Sequence, residues 1–105
     1  MGLTEETRHL IDACETAVDA LAILSFDYRD EAEAATNRSV HPLGLWFWGK
    51  VWTLVAWCEL RQDFRMFRID RMTNVSPTGQ TYKPTQERSL AECLRQMETK
   101  YGPQR

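Results

Sequence analysis

Apolar residues near the start of the chain recur with helical spacing. Leu10, Ile11, Cys14, Val18 and Leu21 fall on one side, and Asp12, Glu15 and Asp19 fall outward. Thr4 can cap this segment, with Glu5 and Glu6 in a first turn whose dipole favours negative charge. The spacing predicts a helix over about 5–19. The period then drops to two, because Ala22, Leu24, Phe26 and Tyr28 alternate with Ile23, Ser25, Asp27 and Arg29, as in a strand. Asp30 to Asn37 is polar and reads as a connection. Arg38 to Trp48 is extended, with Pro42 marking an edge or bulge, and Gly49-Lys50 suits a two-residue hairpin turn into a returning strand, Val51 to Glu59. Phe64 to Ile69 and a brief segment at Met72 to Val75 complete the strands, before Pro77 and Gly79 punctuate a loop. A last helix over about 86–101 has Thr85 as cap, a stripe of Leu90, Cys93, Leu94, Met97 and Tyr101, and Gly102-Pro103 as its stop.

This order of helix, four or five short antiparallel strands and helix predicts an α+β, mainly β fold. The closed solution for strands so short is a small SH3-like or Sm-like barrel over about 21–76, flanked by the N-terminal and C-terminal helices. The 105 residues suit one domain spanning 1–105 and exclude a two-domain enzyme. Leu43 to Cys58 is the one stretch resembling a membrane span. It is shorter than the roughly 20 apolar residues a spanning helix needs and contains Lys50, so a membrane is not expected. Cys14, Cys58 and Cys93 are far apart and odd in number. With no CxxC and no secretory leader, they suggest a reduced cytoplasmic setting.

The net charge of −2 conceals an uneven distribution. Met1 to Asn37 carries a net −7, Arg38 to Arg71 a net +3, and the remainder a net +2. A local arginine cluster in a mildly acidic chain suggests a focused anion site; the alternative is a charged edge strand guarded against aggregation.

The run Tyr28, Arg38-Ser39-Val40-His41-Pro42-Leu43, Val51-Trp52-Thr53-Leu54-Val55-Ala56 and Phe64-Arg65-Met66-Phe67-Arg68-Ile69-Asp70-Arg71 resembles the WYL domain of bacterial helix-turn-helix transcriptional regulators. Thr53 stands where the family's naming triad has tyrosine. The resemblance covers roughly Asp12 to Val75. It implies an Sm-like barrel that senses a nucleic-acid fragment or nucleotide-like effector and passes the signal to a helix-turn-helix DNA-binding module, for which this chain has no room before its first strand.

Candidate ligand-binding residues are Tyr28, Arg38, His41, Trp52, Arg65, Arg68 and Arg71. Guanidinium groups offer planar paired donors to phosphate and can stack on bases. Strict alternation puts Arg65, Phe67, Ile69 and Arg71 on one face and Arg68 and Asp70 on the other. The resemblance favours Arg65 and Arg71 as ligand-facing; the structural alternative pairs Arg68 or Arg71 with Asp63 or Asp70. Arg38 and His41 face opposite ways in a regular strand, and Tyr28 can serve as a core aromatic with a bonded tip or reach the barrel mouth. Among Trp46, Trp48, Trp52 and Trp57, the alternation lets Trp46 and Trp48 share a face with core positions such as Leu54, and Trp52 is the one the resemblance marks. The chain has no glycine-rich phosphate loop, HExxH or GxSxG, and its His9, His41 and cysteines lack zinc spacing. No enzyme, metal or cofactor is therefore expected. The competing readings are a homodimerisation or protein-interaction module built on the tryptophan hairpin and the C-terminal helix stripe, with the arginines only structural, and a sensor of small apolar ligands.

Overall fold

The computed structural model describes residues 4–30, 34–48 and 50–101. Gly49, the side chains of Trp48 and Tyr101, and the Gly102-Pro103 stop lie outside the described residues. Helix α1 (Glu5–Ala20) starts where Thr4 accepts the Thr7 N–H, and ends at Leu21, which adopts a left-handed φ of 54°. Five strands follow: β1 (Ala22–Arg29), β2 (Ala35–Trp48), β3 (Val51–Cys58), β4 (Asp63–Arg68) and β5 (Met72–Thr81). Helix α2 (Leu90–Tyr101) closes the described chain.

The strands form one antiparallel sheet in the order β4-β3-β2-β1-β5. No ladder joins β4 to β5 among the described residues, so the expected closed barrel is not formed. The sheet is nevertheless curled. In a flat sheet, β1 and β4 would lie about 14 Å apart, three strand spacings. Instead, the Phe67 ring of β4 meets the β1 rings of Phe26 and Tyr28 edge-on, with centroids 5.1 and 5.0 Å apart. The Arg68 backbone N–H also donates to the Tyr28 hydroxyl at 3.1 Å. A single 3-10 turn, Ile69–Arg71, then takes the chain from one sheet edge to the other, which only a curled sheet permits. The concave face holds Leu24, Phe26, Val40, Leu54, Ala56, Cys58 and Phe67, all buried, and Cys14 and Ala17 of α1 join this core.

Three local expectations change. Strand β2 begins at Ala35, inside the polar stretch read as a connection, because Thr36 and Asn37 pair with Tyr28 and Asp27. Strand β5 runs to Thr81 through Pro77 and Gly79, where a loop was expected. At a sheet edge the missing proline N–H is tolerated, and Gly79 takes the positive φ of 91° that a side chain would resist. Thr85 makes no side-chain cap; Ser89 caps α2 instead by accepting the Glu92 N–H at 3.1 Å.

A bulge between Pro42 and Gly44 reverses the alternation of β2. One extra residue exchanges the two faces of everything downstream. Leu45 and Phe47 therefore lie on the core side, opposite Leu54 and Trp52, and Trp46 turns outward opposite Thr53. This reverses the alternation expected for Trp46. The bulge also gives α2 its seat. A Cβ on Gly44 would stand 3.3 Å from a Leu90 methyl, so the glycine admits close approach of that helix.

Phe67→Ala removes the ring that bridges β4 to β1 and should destabilise the fold by about 3–5 kcal/mol in urea titration. Tyr28→Phe removes the hydroxyl that accepts the Arg68 N–H and should cost about 1 kcal/mol. On the convex face, the side-chain amides of Asn74 and Asn37 donate to Asp27 at 2.9 and 3.1 Å and hold its carboxyl below its ordinary pKa. A depressed carboxyl contributes stability that is present above its ordinary pKa and is lost as pH falls through the lowered one. Asn74→Ala should move the Asp27 titration upward by NMR, and acid unfolding should begin at higher pH.

Candidate functional site

The strand registers decide which candidates share a face. Arg38 of β2 stands opposite Phe26, and Arg65 of β4 stands opposite Ala56, so both arginines belong to the concave rows. Phe67, two residues after Arg65, is fully buried between them. The Arg65 guanidinium carbon lies 5.6 Å from the Phe67 centroid, and that of Arg38 lies 6.0 Å away. Two cations thus converge on one aromatic ring, a contact favoured by the ring quadrupole.

Arg38 is only 4% exposed, yet its hydrogen-bond partners are neutral. Its Nε donates to Thr36 Oγ1 at 3.0 Å and its Nη1 to Cys58 Sγ at 3.7 Å. Neither Arg38 nor Arg65 has a carboxylate partner among the described residues. Asp63 lies on β4 near Arg65, but its Oδ1 accepts the Phe64 backbone N–H. A buried guanidinium is ordinarily paired with an acid, since desolvating a lone charge costs several kcal/mol. Its neutral surroundings here mark a position able to receive an anion.

Tyr28 and Trp52 share the concave face but play different parts. Tyr28 is buried against Phe67 with its hydroxyl on the Arg68 N–H, so its tip ties strands together. Trp52 packs on the edge of the core, 5.2 Å from the exposed Phe47 ring.

The other candidates are held elsewhere. Arg68 forms a two-pronged pair with Asp70, at 3.1 and 2.7 Å. Arg71 donates to the carbonyls of Asp30 and Arg29 at 3.0 and 3.4 Å and clips the 3-10 turn to the end of β1. The alternation expected to align Arg71 with Arg65 stops at Ile69, where the chain leaves extended geometry. His41 lies on the convex face. Its Nε2 is 2.9 Å from Glu59 Oε2, and its ring stacks on Tyr82 at 4.6 Å and 9°. Tyr82 in turn donates to the Pro42 carbonyl at 2.7 Å, so this trio anchors the segment leading to α2. Trp57 also belongs to the convex face, with the Arg88 guanidinium over its ring at 4.5 Å and Phe64 edge-on.

Sequence reasoning passed over Phe67, Thr36 and Cys58 as parts of the site. Phe67 was visible as the alternate neighbour of Arg65; Thr36 and Cys58 come from strands whose register only pairing sets. Burial pushes the Cys14 thiol up to about 12 and raises Cys93, so neither is a thiolate at neutral pH. No group of three or more metal-ligating side chains occurs among the described residues. None of their helices is long and apolar enough to cross a membrane.

The sequence model of the WYL domain matches residues 9–77, which include both concave arginines, Phe67 and Trp52. The chain belongs to the WYL domain family. A Bacillus subtilis (strain 168) relative, the uncharacterized HTH-type transcriptional regulator YobV, is 32% identical over 81 residues. That match covers 77% of this chain and 26% of the relative. Among solved structures, proteasome accessory factor B/C (PafBC) of Arthrobacter aurescens superposes with a TM-score of 0.71 at 25% identity. It covers 79% of this chain and 13% of that one. This WYL chain therefore spans about a quarter or less of the lengths of these two matches.

Arg38→Met replaces a buried cation lacking an acid partner with an apolar chain of similar reach. It should leave the unliganded domain as stable or raise its stability by about 1 kcal/mol, measured by chemical denaturation. A loss of more than about 2 kcal/mol would show that the guanidinium serves the fold.

Proposed function

We propose that this WYL domain is the effector-sensing part of a bacterial transcriptional regulator, and that it binds an anionic ligand, a nucleic-acid fragment or nucleotide-like molecule, on its concave face. The observation that carries this reading is the pair of guanidinium groups over Phe67, one of them buried among neutral partners. The similarity to an HTH-type regulator supports a linked helix-turn-helix module as the receiver of the signal. Binding then favours one of two domain arrangements, and DNA affinity changes by the differential affinity of the effector for the two.

Within this reading Arg38 and Arg65 hold the anion, and Thr36 and Cys58 fix the Arg38 side chain. Tyr28 and Phe67 form the floor, and Trp52 with Phe47 offers an aromatic surface farther along the same face. Arg68, Arg71 and His41 act through the fold, at the contacts described above. Titration of tryptophan fluorescence with short single-stranded oligonucleotides tests the assignment at two salt concentrations. Arg65→Ala should weaken binding about ten-fold or more, and Arg68→Ala should leave it within about two-fold. Binding that is tight, independent of salt and indifferent to Arg65→Ala would reject an anion site here.

A further inference from the structure

Resting on that reading, we infer that the Arg38–Arg65 site takes a terminal phosphate monoester, the phosphorylated end of a nucleotide or oligonucleotide, in preference to the internal phosphodiesters of a strand. Three observations lead there. First, Phe67 cannot serve as a stacking platform. It is fully buried, with Phe26 and Tyr28 edge-on against it and the two cations near its ring. The site therefore reads charge, not a base.

Second, the charge it presents is double. Two guanidinium groups converge on one ring without a carboxylate partner among the described residues. A phosphate monoester carries about −1.5 to −2 charges near pH 7 and three terminal oxygens. An internal phosphodiester carries −1 and has two such oxygens. Only the monoester matches both cations.

Third, the Arg38 end of the site is buried. Arg38 is 4% exposed, and Thr36 and Cys58 engage its Nε and Nη1. An anion that reaches Arg38 must pass the side chains that cover it. A terminal phosphate enters end-on with one ester substituent trailing outward, whereas an internal diester must bring chain in and out past the same walls.

Isothermal titration of the intact chain with one hexanucleotide, either terminally phosphorylated or bearing a terminal hydroxyl, tests this. The phosphorylated hexamer should bind at least about ten-fold tighter, and the preference should disappear in Arg65→Ala. Arg65 is a half-buried strand residue, so circular dichroism confirms folding, and Arg65→Lys should retain part of the preference. A nucleoside monophosphate titrated in parallel distinguishes the two carriers. Affinity equal to that of the phosphorylated hexamer assigns the phosphate group alone, and tighter hexamer binding assigns an oligonucleotide end; both support the inference. Equal binding of the two hexamers, lost equally in Arg65→Ala, would overturn the terminal-phosphate preference and leave the anion site standing. A preference that survives Arg65→Ala would place recognition elsewhere and overturn it too. Binding of none of these ligands would sink the anion site as well.

Discussion

The contact between Phe67 and the β1 rings is the constraint on which the remaining structure depends. The five-stranded sheet has two unjoined edges, so its curvature cannot come from a closed ladder of backbone hydrogen bonds. It comes from an aromatic trio, Phe26, Tyr28 and Phe67, interlocked edge-to-face across the concavity. Edge-to-face pairs add about 0.5–1.5 kcal/mol each beyond the area they bury. The Tyr28 hydroxyl adds a directional bond to the Arg68 N–H and fixes where β4 ends. From that point the chain turns through Ile69–Arg71, and Arg71 ties the turn back to β1. Curvature, strand end and turn are thus one mechanical unit.

The same ring explains how this WYL domain holds cations inside a small core. Arg38 stands in a row with Val40 and Phe26, positions that elsewhere in the sheet are apolar. Its stem is covered by that row, and its head rests near the negative face of Phe67 with only a hydroxyl and a sulfur as bonded neighbours. Those partners compensate a guanidinium less than a carboxylate does. In the proposed reading, that cost is offset when an anion binds, and the ligand is held by a difference in free energy that the empty domain cannot recover by itself.

Segregation of charges between the two faces keeps that site uncompensated. His41 with Glu59, and Arg88 over Trp57, lie on the convex side, where they secure the segment that leads into α2. Arg68 turns away from the concavity and meets Asp70. Arg68 and Arg88 have an acid and a π-face of their own, His41 has Glu59, and none of these groups lends a carboxylate to Arg38 or Arg65. The curled sheet therefore separates these paired groups from Arg38 and Arg65, though His41 shares β2 with Arg38 and Arg68 shares β4 with Arg65.

The sequence by itself determined the elements and their character. The period of 3.6 marked α1, the period of two marked β1 and β4, and the Trp-x-Leu and FRxFRxDR runs carried the WYL resemblance that the family match bears out. It also placed Arg65 and Phe67 on one face, since two residues along a strand always share a side. Pro42 marked an edge or bulge in β2, but local pattern could not show that the bulge would turn Trp46 outward, or that a 3-10 turn at Ile69 would take Arg71 out of line with Arg65. It could not show that the sheet stays open, or that Arg38 of β2 reaches across β3 to the same Phe67 ring that Arg65 approaches. Those outcomes depend on register and curvature, which arise from contacts between residues far apart in the chain. Tertiary structure alone decided which of the arginines became a pair.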